Sequence, residues 1–124
     1  MTGPTRPERP AVVATSVVLD CADPVRLVQW WHELTGWPID QRGTPWSSLH
    51  RPDGSSLGFQ QVPEPRVGKN RMHLDLHVAD EGAAAAWARE HLAATVLWRS
   101  SNPDDPFVVL ADPEGNEFCY VRAG

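Results

Sequence analysis

A chain of 124 residues, 41% of them hydrophobic, has the size and the material for one domain with a real core, which excludes disorder throughout. The formal charge of -5, with 11 Lys and Arg scattered along the chain, argues against nucleic acid as a partner, because phosphate binding needs a basic patch. No run approaches the roughly 18 apolar residues of a membrane span, and the proline-broken start lacks the apolar stretch of a secretory signal, so no membrane partner and a cytoplasmic location are expected.

Residues 1–11, with Pro4, Pro7 and Pro10 among polar neighbours, read as a disordered tail. Apolar and β-branched density rises over 12–21, which marks a first strand. Asp23-Pro24 follows, a side-chain cap and a proline at the first helical position, where its missing N–H costs nothing. Leu27, Val28, Trp31 and Leu34 recur at helical spacing as a buried stripe, and Gly36 supplies the left-handed residue that ends the helix. Three short strands are expected at 37–41, 46–51 and 57–61, separated by Gly43-Thr44-Pro45 and Pro52-Asp53-Gly54. Pro63, Pro65 and Gly68 make 63–70 a linker.

After the linker the order returns. Over 71–78, Met72, Leu74, Leu76 and Val78 share one face of a strand while His73, Asp75 and His77 share the other. Such a strand packs on helices by one side and presents ionisable groups with the other. Asp80 caps a helix over 81–91, whose run Ala83 to Ala86 permits close helix-to-sheet contact. Strands are expected at 95–99, 107–111 and 116–121, with Asp112-Pro113-Glu114-Gly115 matching Arg51-Pro52-Asp53-Gly54. Trp30 and Trp87 also fall at one offset from the capping aspartates. The chain is therefore read as an α+β fold of tandem βαβββ modules, eight strands and two main helices in a single domain over 12–124: module one 12–62, module two 71–122.

Several side chains are candidates for function. His73 fits three roles: a general base, a ligand contact, or a histidine that bonds Asp75 and fills space. A carboxylate at Asp75 needs either a polar or cationic ligand, or a salt bridge to Arg71 or Arg99. Gln60 and Gln61 point to opposite faces, so one of them enters any chamber. Trp46 and Trp98 lie on strands and are the candidates for stacking on ligand, whereas Trp31 and Trp87 fit buried helical stripes. Cys21 and Cys119 have no Cys-x-x-Cys spacing and are expected reduced and buried. The loop over 100–106 would lie at the chamber mouth and is a candidate lid. No Gly-x-Ser-x-Gly turn, phosphate loop or dinucleotide fingerprint is present.

The stretches Val17-Val18-Leu19-Asp20-Cys21-Ala22-Asp23-Pro24, Gly68-Lys69-Asn70-Arg71-Met72-His73-Leu74-Asp75-Leu76 and Asp112-Pro113-Glu114-Gly115-Asn116-Glu117-Phe118-Cys119 carry a resemblance over roughly 14–122. The chain resembles the vicinal oxygen chelate superfamily, which includes glyoxalase I, bleomycin-resistance proteins and extradiol dioxygenases, and most narrowly the actinobacterial-type glyoxalase-like domain group. The resemblance implies a cup-shaped, barrel-like sheet around a chamber shared by the two modules, and a homodimer. In metal-dependent members it implies one ligand on the first and last strands of each module, which falls here on Ser16, Phe59 or Gln60, His73 and Cys119. Only His73 is an unambiguous ligand by type, so no metal of the usual four-ligand kind is expected, although Asp75, His77 and Glu117 offer local donors. The expected function is binding of a small organic molecule by His73, Asp75, Gln60, Trp46, Trp98 and Cys119. The alternatives are a lyase, isomerase or dioxygenase using an unorthodox metal or His73/Asp75 acid-base chemistry, and a protein-interaction module with a vestigial cup.

Overall fold

A computed structural model describes residues 16–63, 68 and 73–123. The tail expected over 1–11, most of the linker and the start of the strand at 71–78 lie outside the described residues. Among the latter the order is β1 (Val17–Cys21), α1 (Pro24–Thr35), β2 (Ile39–Gln41), β3 (Trp46–His50), β4 (Ser56–Gln61), β5 (Leu74–Val78), α2 (Glu81–Leu92), β6 (Thr95–Arg99), β7 (Phe107–Ala111) and β8 (Glu117–Arg122). This is the expected tandem βαβββ order, each boundary within two residues where the chain is described at both ends.

Local chemistry sets the boundaries. The Asp23 carboxylate accepts from the Arg26 N–H at 3.2 Å, Pro24 opens α1, and Gly36 closes it at φ 74° with its N–H on the His32 carbonyl. Asp80 caps α2 in the same way through the Ala83 N–H at 3.0 Å. The two matching turns superpose in their bonding. Gly54 N–H donates to Arg51 O and Gly115 N–H to Asp112 O, both at 2.9 Å, and each glycine has the positive φ that such a turn requires.

Each half builds its own sheet, in the order β1-β4-β3-β2 and β5-β8-β7-β6, with the first pair parallel and the others antiparallel. The sheets stay separate and do not close into a barrel. α1 lies on the first sheet, α2 on the second, and the two helices touch. One core joins them: Leu27, Val28, Trp31, Leu49, Leu57 and Phe59 from the first half meet Ala85, Ala88, Val108, Leu110, Phe118 and Tyr120 from the second. Each sheet therefore turns its uncovered face away from the shared core.

The junction is built by α1 and the turn before β8. The Trp31 ring lies 5.0 Å from Phe118 and 6.5 Å from Phe59, bridging the halves. Its indole N–H donates to Asp112 Oδ2 at 3.0 Å, and the Trp30 indole N–H donates to Leu92 O at 2.7 Å. Two residues after Asp112, the Glu114 carboxylate accepts from the N–H groups of Ala22 and Asp23 at 2.6 and 3.0 Å, holding the start of α1. Among the described residues Asp53, the counterpart in the first half, bonds within its own turn, to Ser55. The repeated turn is a plain turn in one half and a clamp in the other.

Trp87 departs from expectation. It is 43% exposed and packs on His91, because the buried stripe of α2 runs through Glu81, Ala85 and Ala88, and position 87 falls beside that stripe. Glu81 is buried with its carboxylate paired bidentately to Arg122 at 2.9–3.0 Å, which ties the start of α2 to the end of β8.

Asp112 is the buried polar centre of the junction. Its Oδ1 accepts from the N–H groups of Glu114 and Asn116, and its Oδ2 from Trp31 Nε1 and Asn116 Nδ2, all at 2.8–3.0 Å. Asp112→Asn turns an amide NH₂ toward N–H donors and is expected to lose about 3 kcal/mol of stability. Burial holds the Asp112 carboxyl above its ordinary 3.8, against the opposing pull of the bonds from Trp31, Asn116 and Glu114. A group raised in the fold contributes stability that is complete below the unfolded value and is lost as pH rises through the folded one. The gap in urea midpoint between the natural chain and Asp112→Asn is thus expected to be wider at about pH 3.5 than at about pH 6. A gap that widens with pH would contradict this account of Asp112.

Candidate binding face on the second sheet

The uncovered face of the second sheet is set by alternation and strand register. Leu74, Leu76 and Val78 of β5 pack on the core, so His73, Asp75 and His77 stand on the other side, exposed. β5 pairs in parallel with β8, Asp75 opposite Cys119, and β7 pairs with β8, Val109 opposite Cys119. Glu117, Cys119 and Val121 thereby share the face with Phe107 and Val109. In β6 strict alternation would turn Val96 and Trp98 the same way. An irregularity at Leu97 shifts the register, so that Val96 stays against the core and Trp98, opposite Val109, reaches the open face.

A cavity of about 450 Å³ opens on this face, lined by His73, Asp75, Trp98, Asp105, Phe107, Val109, Glu117, Cys119 and Val121, all from the second half. Trp98 and Phe107 pack against each other at 5.3 Å and form its aromatic wall. His73 Nε2 lies 3.2 Å from Asp75 Oδ1, with both side chains about half exposed. The loop expected at the mouth contributes Asp105, and the Ser100 hydroxyl, donating to Asp105 O at 2.8 Å, braces it.

The structure thus gathers His73, Asp75, Trp98 and Cys119 of the expected residues and leaves Trp46 and Gln60 on the other sheet. Phe59, the alternative to Gln60 for the last strand of module one, is fully buried and faces the core. The ladders give the correspondence between halves. Val18 pairs with Gly58 as Asp75 pairs with Cys119, so the first-half counterpart of Cys119 is Gly58, two residues before Gln60. The Trp46 ring lies on that glycine: a Cβ at Gly58 would fall within 2.6 Å of Trp46 Cζ2. An indole occupies on the first sheet the place that the cavity occupies on the second. Cys21, the other thiol, is buried on the core face of β1, where burial and the nearby carboxylates of Glu114 and Asp112 push it up to about 12.

The sequence does not mark Phe107, Val109 or Val121 as site residues, and it places Asp105 only within the loop expected at the mouth. The run Phe107 to Ala111 is apolar at every position, so periodicity cannot separate its faces, and Asp105 sits in a loop whose path depends on the fold. Glu117 was legible from its parity with Cys119.

The residues fit poorly to a metal held by one ligand from the first and last strands of each half. That set is Ser16, Gly58, His73 and Cys119, of which glycine offers no side-chain donor and serine only a neutral oxygen.

Two four-stranded sheets from tandem βαβββ units, with one face of each left open, define the glyoxalase/bleomycin-resistance type of fold. The chain belongs to the glyoxalase-like domain family, whose model matches residues 16–121. Among solved structures it is similar to a glyoxalase/bleomycin resistance protein/dioxygenase family enzyme from Burkholderia phytofirmans PsJN, with TM-score 0.69 and 19% identity over 86% of this chain and 95% of that one. It is similar also to the bleomycin-binding protein of Streptomyces verticillus in complex with copper(II)-bleomycin, with TM-score 0.65 and 18% identity over 94% and 100%. A possible glyoxalase from Bacillus cereus gives 0.68 and 17% over 90% and 99%. At these identities the likeness concerns the fold. No curated protein matches the sequence.

Gly58→Ala is expected to drive Trp46 off the first sheet, lowering stability by about 1–3 kcal/mol and moving its emission to the red. Urea denaturation and the emission spectrum read this together. An unchanged midpoint and spectrum would mean that the indole does not rest on Gly58.

Proposed function

We propose that this protein binds a small organic molecule, polar or cationic with a flat aromatic part, on the open face of its second sheet. The observation that carries the reading is the lining of the cavity. Its volume falls in the range of roughly 300–1,000 Å³ typical of small-molecule sites. Three carboxylates, Asp75, Asp105 and Glu117, face one imidazole, His73, a balance that favours cations and hydrogen-bond donors. Trp98 is 57% exposed beside Phe107 and offers a surface on which a flat or cationic group can stack. The bleomycin-binding protein of similar fold supports a sequestering role.

A second reading, a lyase, isomerase or dioxygenase, has one observation in its favour: the His73–Asp75 pair at 3.2 Å can orient an imidazole for proton transfer to a bound ligand. Conversion of a bound compound, abolished by His73→Gln with binding retained, would identify it.

Finer features belong to the same proposal. The chain groups with the actinobacterial-type glyoxalase-like proteins, works in the cytoplasm as two buried cysteines outside any disulfide favour, and acts as a homodimer. Dimerisation would reunite the expected site, since a partner copy placing its first sheet over this cavity brings Trp46 and Gln60 to it. Among the described residues no helix is long and apolar enough to cross a membrane.

Titration with a panel of cationic and neutral aromatic compounds is expected to give saturable quenching of tryptophan emission for cationic members. Trp98→Phe should remove most of that quenching, and Asp75→Asn should weaken the dissociation constant about tenfold or more, equivalent to about 1.4 kcal/mol. Quenching that persists undiminished in Trp98→Phe, or no saturable response across the panel, would reject the reading.

A further inference from the structure

We infer that His73, Asp75 and Cys119 together form a binding site for a thiophilic divalent cation of the Zn²⁺ type. An imidazole nitrogen, a carboxylate oxygen and a sulfur, one from each residue, all lie within 4.8 Å of one another. Asp75 and Cys119 are direct partners across the parallel β5–β8 ladder, and His73 stands two residues before Asp75 on the same face, so the backbone itself holds the three together.

The spacing suits the chemistry. Ligand atoms around a tetrahedral zinc, at bonds of roughly 2.0–2.3 Å, stand about 3.3–3.7 Å apart. His73 Nε2 and Asp75 Oδ1 are already 3.2 Å apart. The sulfur lies within 4.8 Å of both, a separation that side-chain torsions can close to tetrahedral spacing. Three protein donors facing a cavity leave a fourth position open, the pattern of zinc sites that take a further ligand. The sulfur selects Zn²⁺, Co²⁺ or Cd²⁺ over Mg²⁺ and Ca²⁺, which prefer oxygen. This set lies wholly in the second half and contains Asp75, unlike the set distributed over both halves that the chain lacks. The thiol gives up its proton on binding, so affinity rises with pH.

The site shares the cavity of the proposed function but requires no organic ligand, and Co²⁺ alone tests it. Full-length protein stripped with a chelator, then freed of it, is titrated with Co²⁺. The expected result is a saturable thiolate-to-cobalt charge-transfer band in the near ultraviolet at one equivalent, bleached by Zn²⁺. Cys119→Ser should abolish the band, Asp75→Asn should weaken binding about tenfold or more, and Cys21→Ala should leave it intact. In the unaltered protein, which needs no variant to fold, Zn²⁺ but not Mg²⁺ should slow alkylation of Cys119 about tenfold or more. Absence of the band, its persistence in Cys119→Ser, or Co²⁺ binding without a band and equal in both chains, which is an adventitious ion only, would overturn the inference. A cobalt band without organic quenching would leave the metal site standing and reject the proposed function, and the reverse result would do the opposite.

Discussion

The hydrogen bond from the Trp31 indole to the buried Asp112 carboxylate, inside the aromatic cluster of Trp31, Phe59 and Phe118, is the contact on which the arrangement of the molecule depends. Among the described residues, neither βαβββ unit buries both faces of its sheet. Each covers one face with its own helix, and α1 then serves both halves, presenting Leu27 and Val28 within the first and Trp30 and Trp31 toward β8 and α2. A carboxylate at such a place is tolerated because four N–H donors surround it, and it fixes the position of the indole more sharply than an apolar contact would. With Glu114 holding the N-cap of α1 and the residue before it, the turn before β8 becomes the hinge-pin of the domain.

That constraint decides what the two open faces can do. Because both covered faces belong to one core, the uncovered faces look away from it, and the cavity on the second sheet is walled by the second half alone. The repeat is symmetric in backbone and asymmetric in side chains. At equivalent positions the first sheet carries Gly58 beneath the Trp46 ring, and the second carries Cys119 with Phe107 set back against Trp98. Exchanging a glycine for a thiol, and moving an indole from the middle of the face to its edge, converts a filled surface into a lined cavity. The lined cavity belongs to one copy of the repeated unit.

Much of this was legible in the sequence because local chemistry writes it there. Asp23-Pro24, Gly36, Asp80 and the two matching turns fix where elements start and stop, and strict alternation over 73–78 separates the face of His73 and Asp75 from the core. What depends on pairing was not legible. The register of β4 against β1 is set by hydrogen bonds between distant strands, so the counterpart of Cys119 emerged as Gly58 rather than Phe59 or Gln60. Trp98 owes its place on the open face to the irregularity at Leu97, which alternation alone cannot foresee. Trp87 shares the offset of Trp30, yet the first is exposed and the second buried, because only α1 has the other half packed against that side. The relative placement of the halves rests on Trp31 meeting Asp112 across 81 positions of chain, and nothing local announces that meeting.

Native-state hydrogen exchange of the Trp31 indole N–H tests the shared core most directly. If one core clamps both halves, this proton exchanges only through global opening, with the same free energy as the slowest amides of β4 and of β8. An indole proton exchanging far faster than those amides, or amides of β4 and β8 that open with clearly different free energies, would show two units that merely touch and would contradict the account.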